Sequence, residues 1–413
     1  MTGAARDAHA ARVVLERIRR KEPDMGEDSA GLAGLLAVAE ARMPVESAEA
    51  VAFELARSLD ARSVSFLITD FTGNAVVRLG NTDVGEEREH IELPGTIYEQ
   101  VLRDQRVSVR RAPDPGVKVQ IVAPVTNRGD AIGLLEVLLP QAPEPATVQT
   151  VADAAHALAY ILIANRRFTD LYQWGRRTLP VNLAAEIQNT LLPDSLTCEA
   201  PQFTVSGELI PAETIAGDTF DHSLDRHTLH VSITDAMGHN VRAALMATLL
   251  VGALRSARRS GADLAEQARQ AHQALLDHGV LGPLVTGQLL RIDLRTGSAD
   301  FVNAGHPWPW RLREGRLDHI TPEIDPPFGA PLPHPHRVQH LQLQPGDRLI
   351  LVTDGMLERN AAAEDLPALI KDTRDLHPRE TVHALTQAVL HAQQGVLHDD
   401  ATVVCLDWKG TTN

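Results

Sequence analysis

Cysteine is nearly absent from this 413-residue chain, which carries only Cys198 and Cys405. They lie far apart and form no CxxC pair. That excludes a disulfide framework and a paired-cysteine zinc site, and it fits a reducing cytoplasmic setting. An excess of basic charge is also missing: 39 Lys and Arg stand against 54 Asp and Glu, for a formal charge of -15. With no basic block to neutralise phosphates, no nucleic-acid partner is expected. No unbroken apolar run approaches the roughly eighteen residues of a membrane span. The start, MTGAARDAHAARVVLERIRRKEPD, mixes charge through its short apolar part and lacks a signal-peptide core. The expectation is a cytoplasmic chain without a membrane segment, with residues 1–30 as a short lead. An HExxH helix and the D-x-[DN]-x-[DN]-G calcium loop are absent as well.

What is present organises into two domains, the usual number for this length. Residues 31–165 read as an α+β sensor-like domain, an antiparallel sheet with flanking helices. Helical spacing runs from Gly31 to Leu59. SVSFLITDFTGNAVVRLG gives two strands around Thr72-Gly73-Asn74, and VKVQIVAPV with AIGLLEVLL gives a second pair around TNRGD. A helical run follows from Val148 to about Arg177. Along it Ala154, Leu158, Ile161, Asn165, Phe168 and Tyr172 form a heptad stripe with Asn165 at an a-type position. Two readings of that stripe stay open: a parallel dimer seam, or packing on the domain's own sheet. Residues 166–193 read as a helical linker, interrupted at Pro180 and ending in NLAAEIQNTLLP. From 194 to 410 strands dominate, with helical blocks at 241–278 and 379–394, which suggests sheets flanked by helices.

The chemistry gathers at strand ends. Leu229, Val231 and Ile233 alternate with His230, Ser232 and Thr234, a strand with one buried face, and the strand stops at Asp235. Val241, Ala244, Leu245, Thr248 and Leu249 then keep helical spacing, with Asn240 as a plausible cap. A lone aspartate there reads as an ordinary turn residue, but LILVTDGM repeats the arrangement at Asp354. IAGDTFD adds Asp218 and Asp221, and HDDATVVCL adds Asp399 and Asp400. Four such islands with little basic charge between them are costly to gather unless a cation neutralises them, so they are expected to converge. Oxygen ligands alone select magnesium or manganese over zinc. Two such ions sharing a carboxylate can acidify a water and hold a phosphoryl group for in-line attack, and Asp235 suits the shared position.

NLAAEIQNTLLP, PAETIAGDTFDHSLD, SITDAMGHNVRAALM, FVNAGHPWPW, LILVTDGMLERN and HDDATVVCL stand in the order of the bacterial SpoIIE-type metal-dependent protein serine/threonine phosphatases, the group with RsbU-like regulators of sigma-factor partner switching. The resemblance covers residues 182–408, and residues 31–165 resemble a GAF domain by element order. It implies a C-terminal α-β-β-α sandwich and two Mn or Mg ions. Asp235 would bridge them, with the carbonyl of Ala236 as a further ligand. Asp354 and Asp399 would hold the second ion, and Asp218 would act as ligand or water-holder. Asp400, His239 and Glu358 fall at supporting positions. The implied substrate is a phosphorylated anti-sigma-factor antagonist of the STAS type, and the implied assembly a homodimer through the linker and sensor domain. Two motif glycines are replaced, by Ala216 and Asn240, which leaves a catalytically weak scaffold that binds a phosphoprotein as the rival. His239 and His306 read either as general acids or as loop-shaping residues. Trp308 and Trp310 read either as a partner surface or as core.

Overall fold

The computed structural model describes residues 31–79, 89–112, 117–178, 182–212, 217–238, 240–278, 284–331, 334–357, 365–394 and 397–410. The lead over residues 1–30, Ala216, His239 and Glu358 lie outside them, as does the side chain of Asn240. The chain divides into two compact units, the second made of residues 128–130 and 179–413 and the first of the remainder.

The first unit contains helices α1 (Leu32–Glu40) and α2 (Ser47–Ser58), then strands β1 (Ser63–Thr69), β2 (Ala75–Leu79) and β3 (His90–Glu92). Helix α3 (Ile97–Asp104), strands β4 (Ser108–Arg111), β5 (Val119–Asn127) and β6 (Asp130–Leu139), and helices α4 (Pro145–Asn165) and α5 (Leu171–Gly175) complete it. Its strands form one antiparallel sheet in the order β3-β2-β1-β6-β5-β4. The first hairpin turns where the Gly and Asn predict. Buried Asp70 accepts hydrogen bonds there from the Thr72 hydroxyl and from the amides of Asn74 and Ala75.

The expected helix from Val148 to Arg177 is two helices, because α4 stops at Asn165. Most of the heptad stripe packs within its own unit, while Phe168 is 72 % exposed. Ala154, Leu158 and Ile161 are buried among Phe66, Ile121 and Leu135 of the same unit, so they have no face left for a second chain. Asn165 donates its side-chain amide to the carbonyl of Ile161 at 2.9 Å, one turn back in its own helix. Tyr172 is buried with its hydroxyl 3.2 Å from that of Ser47. By length and composition α4 could cross a membrane, which the search for an unbroken apolar run did not reveal. Its apolar side is occupied by the sheet.

The second unit runs through α6 (Leu183–Leu191), β7 (Thr197–Glu199), β8 (Phe203–Ile210), β9 (Asp218–Leu224), β10 (Thr228–Ala236), α7 (Asn240–Arg259) and α8 (Leu264–Asp277). It continues through β11 (Val285–Asp293), β12 (Ser298–Ala304), β13 (Trp310–Arg313), β14 (Arg316–His319), β15 (Gln339–Gln342), β16 (Asp347–Val352), α9 (Leu366–Asp372), α10 (Pro378–Ala392) and β17 (Ala401–Trp408). One sheet has the order β15-β12-β11-β10-β9, the other β14-β13-β16-β17-β8-β7. Strand alternation decides what each buries. Leu229, Val231, Ile233 and Leu290 of the first sheet meet Val205, Leu349, Leu351 and Leu406 of the second, forming the inner core. On the outer faces, Met246, Leu250 and Leu254 of α7 cover Leu289 and Val302. Val382, Leu385 and Val389 of α10 cover Ile350 and Val403. The result is an α-β-β-α sandwich. The predicted helical block at 241–278 is a pair, α7 and α8, broken where Gly261 takes a φ of +80°.

Candidate active site

Strands β9 and β10 pair with Asp235 opposite Asp218. The period of two then puts both on the face turned toward the second sheet, with Phe220, Val231 and Ile233. In that second sheet β16 pairs with β17, Val352 opposite Val403. Asp354 follows the end of β16, and Asp399 and Asp400 precede the start of β17. Ends of four strands from two sheets thus bring the predicted islands to one edge of the sandwich.

Asp218 is fully buried. One of its oxygens, Oδ2, accepts from the hydroxyls of Thr353 at 2.7 Å and Thr402 at 2.6 Å. Burial, reinforced by the charges of Asp235 and Asp400, pushes its pKa well up against the two hydroxyls. Asp235 is pushed up to about 7, first by burial and then by the charges of Asp354, Asp399 and Asp400. Among the described residues its carboxylate meets no hydrogen-bond donor. Asp354 is exposed, and Asp399 accepts the amide of Asp400 at 2.9 Å. Like charges held this close favour protonation or a cation.

Asp400 has a different occupation. Its Oδ1 accepts the amide of Ala212 at 2.9 Å, and its Oδ2 accepts the amides of Gly217 at 3.0 Å and Asp218 at 3.4 Å and the side chain of Gln188 at 2.6 Å. Four donors leave it a backbone clamp on the segment that delivers Asp218. Two glycines allow the close approach. A Cβ on Gly217 would lie 2.5 Å from the carbonyl oxygen of Ala236, and one on Gly355 would sit well inside van der Waals contact with the carbonyl of Asp400. Of the AGD motif, Gly217 is therefore the glycine that the packing of β9 on β10 demands.

Asp221 does not join the cluster, contrary to expectation. Three residues beyond Asp218 on the same strand, it points to the opposite face and pairs there with α7. Arg255 grips it through Nε at 3.1 Å and Nη2 at 3.2 Å, and Arg258 at 3.2 Å. His306 is buried with Nδ1 2.8 Å from the Thr286 hydroxyl, and its backbone exchanges hydrogen bonds with the side chain of Asn303. Burial holds it neutral, at about 3, so it shapes the loop. Trp310 stacks on His319 with centroids 3.5 Å apart, while Trp308, 43 % exposed, donates its Nε1 to the carbonyl of Pro322.

Thr353, Thr402 and Gln188 are the residues that motif reading missed. The first two adjoin the acidic islands. Gln188 is a polar residue inside the apolar face of NLAAEIQNTLLP, and it is 1 % exposed.

The donor set is oxygen only, and the mutual repulsion of the four carboxylates is what a divalent cation would relieve. In spacing, no three His, Cys, Asp or Glu side chains among the described residues are gathered tightly enough to hold an ion as they stand. The charge of the site fits a cation, and its ligand shell is not preassembled.

The family described as Stage II sporulation protein E (SpoIIE) matches residues 225–409. The chain is 22 % identical over 235 residues to the phosphoserine phosphatase RsbU of Bacillus subtilis (strain 168), covering 55 % of this chain and 70 % of that one. It is 25 % identical over 219 residues to the phosphoserine phosphatase RsbP of the same organism, covering 52 % of this chain and 53 % of the relative. Among solved structures it is similar to the PP2C phosphatase domain of SpoIIE from Bacillus subtilis with a fragment of its regulatory domain, at 17 % identity and a TM-score of 0.45, covering 75 % of this chain and 84 % of that one. The residues matched by that family contain β10, β16 and β17, the strands whose ends carry Asp235, Asp354, Asp399 and Asp400.

Proposed function

We propose that the chain removes phosphate from phosphoserine or phosphothreonine of a regulatory protein, with two Mn or Mg ions, under control of its first unit. What carries the reading is the convergence of Asp218, Asp235, Asp354 and Asp399 at one sandwich edge, with Asp235 pushed up to about 7 by burial and its acidic neighbours. Asp235 would bridge the ions with the carbonyl of Ala236 beside it, and Asp354 and Asp399 would hold the second. Asp218, fixed by two threonine hydroxyls, would hold a ligand or a water. When bound, the ions supply Lewis acidity toward a phosphoryl oxygen and toward water. The chain's part is to hold these carboxylates oriented and partly dry, at a cost in repulsion that the cations would relieve. His239 and Glu358 remain supporting candidates.

The substrate class follows the relatives. RsbU and RsbP are phosphoserine phosphatases, and a phosphorylated STAS-type antagonist of an anti-sigma factor is the proposed target in a cytoplasmic partner-switching pathway. The first unit, GAF-like by the order of its elements, is the proposed sensor.

Phosphate release from a phosphoserine peptide, measured with Mn, with Mg and with EDTA, tests this. Metal-dependent release that is lost in Asp235→Asn and Asp354→Asn is expected. Full release in either variant would overturn the assignment. Mn binding without release would favour the scaffold suggested by Ala216 and Asn240.

A further inference from the structure

Helix α6 is seated at both ends. Asn182 caps its start, its Oδ1 accepting the amide of Ala185 at 2.9 Å. At its end, the carbonyl of Leu191 accepts Nη2 of Arg255 at 2.6 Å, from the same guanidinium that grips Asp221. Between these points Ala184 and Ile187 pack against Ala244 of α7. From this held helix one polar side chain, Gln188, reaches the acidic edge. Its amide nitrogen lies 2.8 Å from the carbonyl oxygen of Asp218 and 2.6 Å from Oδ2 of Asp400.

The consequence is geometric. Asp400 is a carboxylate buried beside Asp218 and Asp235, and it stays in place only while its donors outweigh that cost. Three of the donors are amides of Ala212, Gly217 and Asp218, the backbone it organises. The fourth, Gln188, is the only side-chain donor to that carboxylate among the described residues, and it also ties down the peptide that starts β9.

We infer that Gln188 is a positioning residue for the acidic centre: through Asp400 and the carbonyl of Asp218 it sets where the Asp218 carboxylate stands relative to Asp235. Gln188 touches no reacting atom, and its effect passes through the backbone of residues 217–218. The inference rests on the phosphatase reading for its catalytic consequence and on the hydrogen bonds alone for its structural one.

The test is Gln188→Met in the full chain, which keeps the side chain's length and bulk and removes both donations. Three quantities are measured: hydrogen exchange at the amides of Gly217 and Asp218, Mn affinity by calorimetry, and phosphopeptide kinetics. The expected result is faster exchange at those amides, Mn binding weakened roughly 10- to 100-fold, the scale for residues that orient metal ligands, and a lowered kcat with KM little changed. Thr190→Ala, an exposed change on the same helix, should leave all three unaltered. Unchanged exchange together with Mn affinity and kcat within about twofold of the parent would overturn the inference, since that lies well below the same scale. If Gln188→Met does not fold, Gln188→Asn, with the amide kept and its reach shortened, is judged by the same criteria. A parent chain that neither binds Mn nor releases phosphate would refute the phosphatase reading instead, and amide exchange would still decide whether Gln188 holds the backbone.

Discussion

Asp235 binds its proton more tightly folded than unfolded, its pKa rising from about 4 to about 7. Unfolding therefore releases protons between those values, and metal-free stability falls as pH rises across that window, levelling off above pH 7. The loss should be on the order of 2–4 kcal/mol, and Asp218, shifted the same way, adds to it. Thermal melts from pH 4 to pH 8 in EDTA should show this fall, and Mn should reverse it most strongly at the alkaline end. Asp235→Asn should flatten the slope and stabilise the metal-free protein at pH 8, while lowering metal-dependent kcat by about a hundredfold or more, the order of one preorganised electrostatic group. Gain of stability with loss of activity separates a strained functional acid from a turn residue. At Gly355 the constraint is steric instead. Gly355→Ala should cost about 1–3 kcal/mol in urea titration through overpacking on the Asp400 carbonyl.

Strand β9 shows how an element sorts neighbouring acids. Asp218 and Asp221 are three residues apart, so the period of two sends them to opposite faces. One enters the acidic edge and the other meets Arg255 and Arg258 of α7. Asp221→Leu should destabilise the protein by about 3–5 kcal/mol, because two half-buried guanidiniums lose their partner, while Mn affinity per folded molecule stays near that of the parent. Denaturant titration and calorimetry measure the two separately. This sorting was legible from alternation, and treating IAGDTFD as one island overlooked it. Alternation also placed β10 and its terminal Asp235 correctly. What no local pattern could supply was the other half of each contact: Thr353 and Thr402 on Asp218, or Gln188 on Asp400, which lies 212 residues away.

At the scale of the molecule, each unit has its own core, one around Leu135, Leu158 and Val51, the other between the two sheets of the sandwich. Separate cores make separate folding the expectation. Residues 179–413 alone should fold and retain metal-dependent phosphate release. A rate differing from that of the full chain would show the direction in which the first unit acts, and equal rates toward peptide and phosphoprotein would remove its proposed control. Asn165→Leu should leave the mass by light scattering unchanged, since that amide serves its own helix.

The amino-acid sequence alone determined the α+β class, the strand-end position of each acidic island and the hairpins of the first unit. These depend on local periodicity and composition, which one stretch of chain carries by itself. The heptad stripe marks the limit. Its spacing suits a dimer seam and a core-facing helix equally, and only the sheet beneath Leu158 and Ile161 placed those two in the core. Tertiary structure likewise decided that Asp400 clamps backbone, that His306 is a buried loop residue and that Asp221 belongs to an ion pair. In each case the role of a polar group is set by what lies within hydrogen-bond reach, and those partners come from strands and helices distant in sequence.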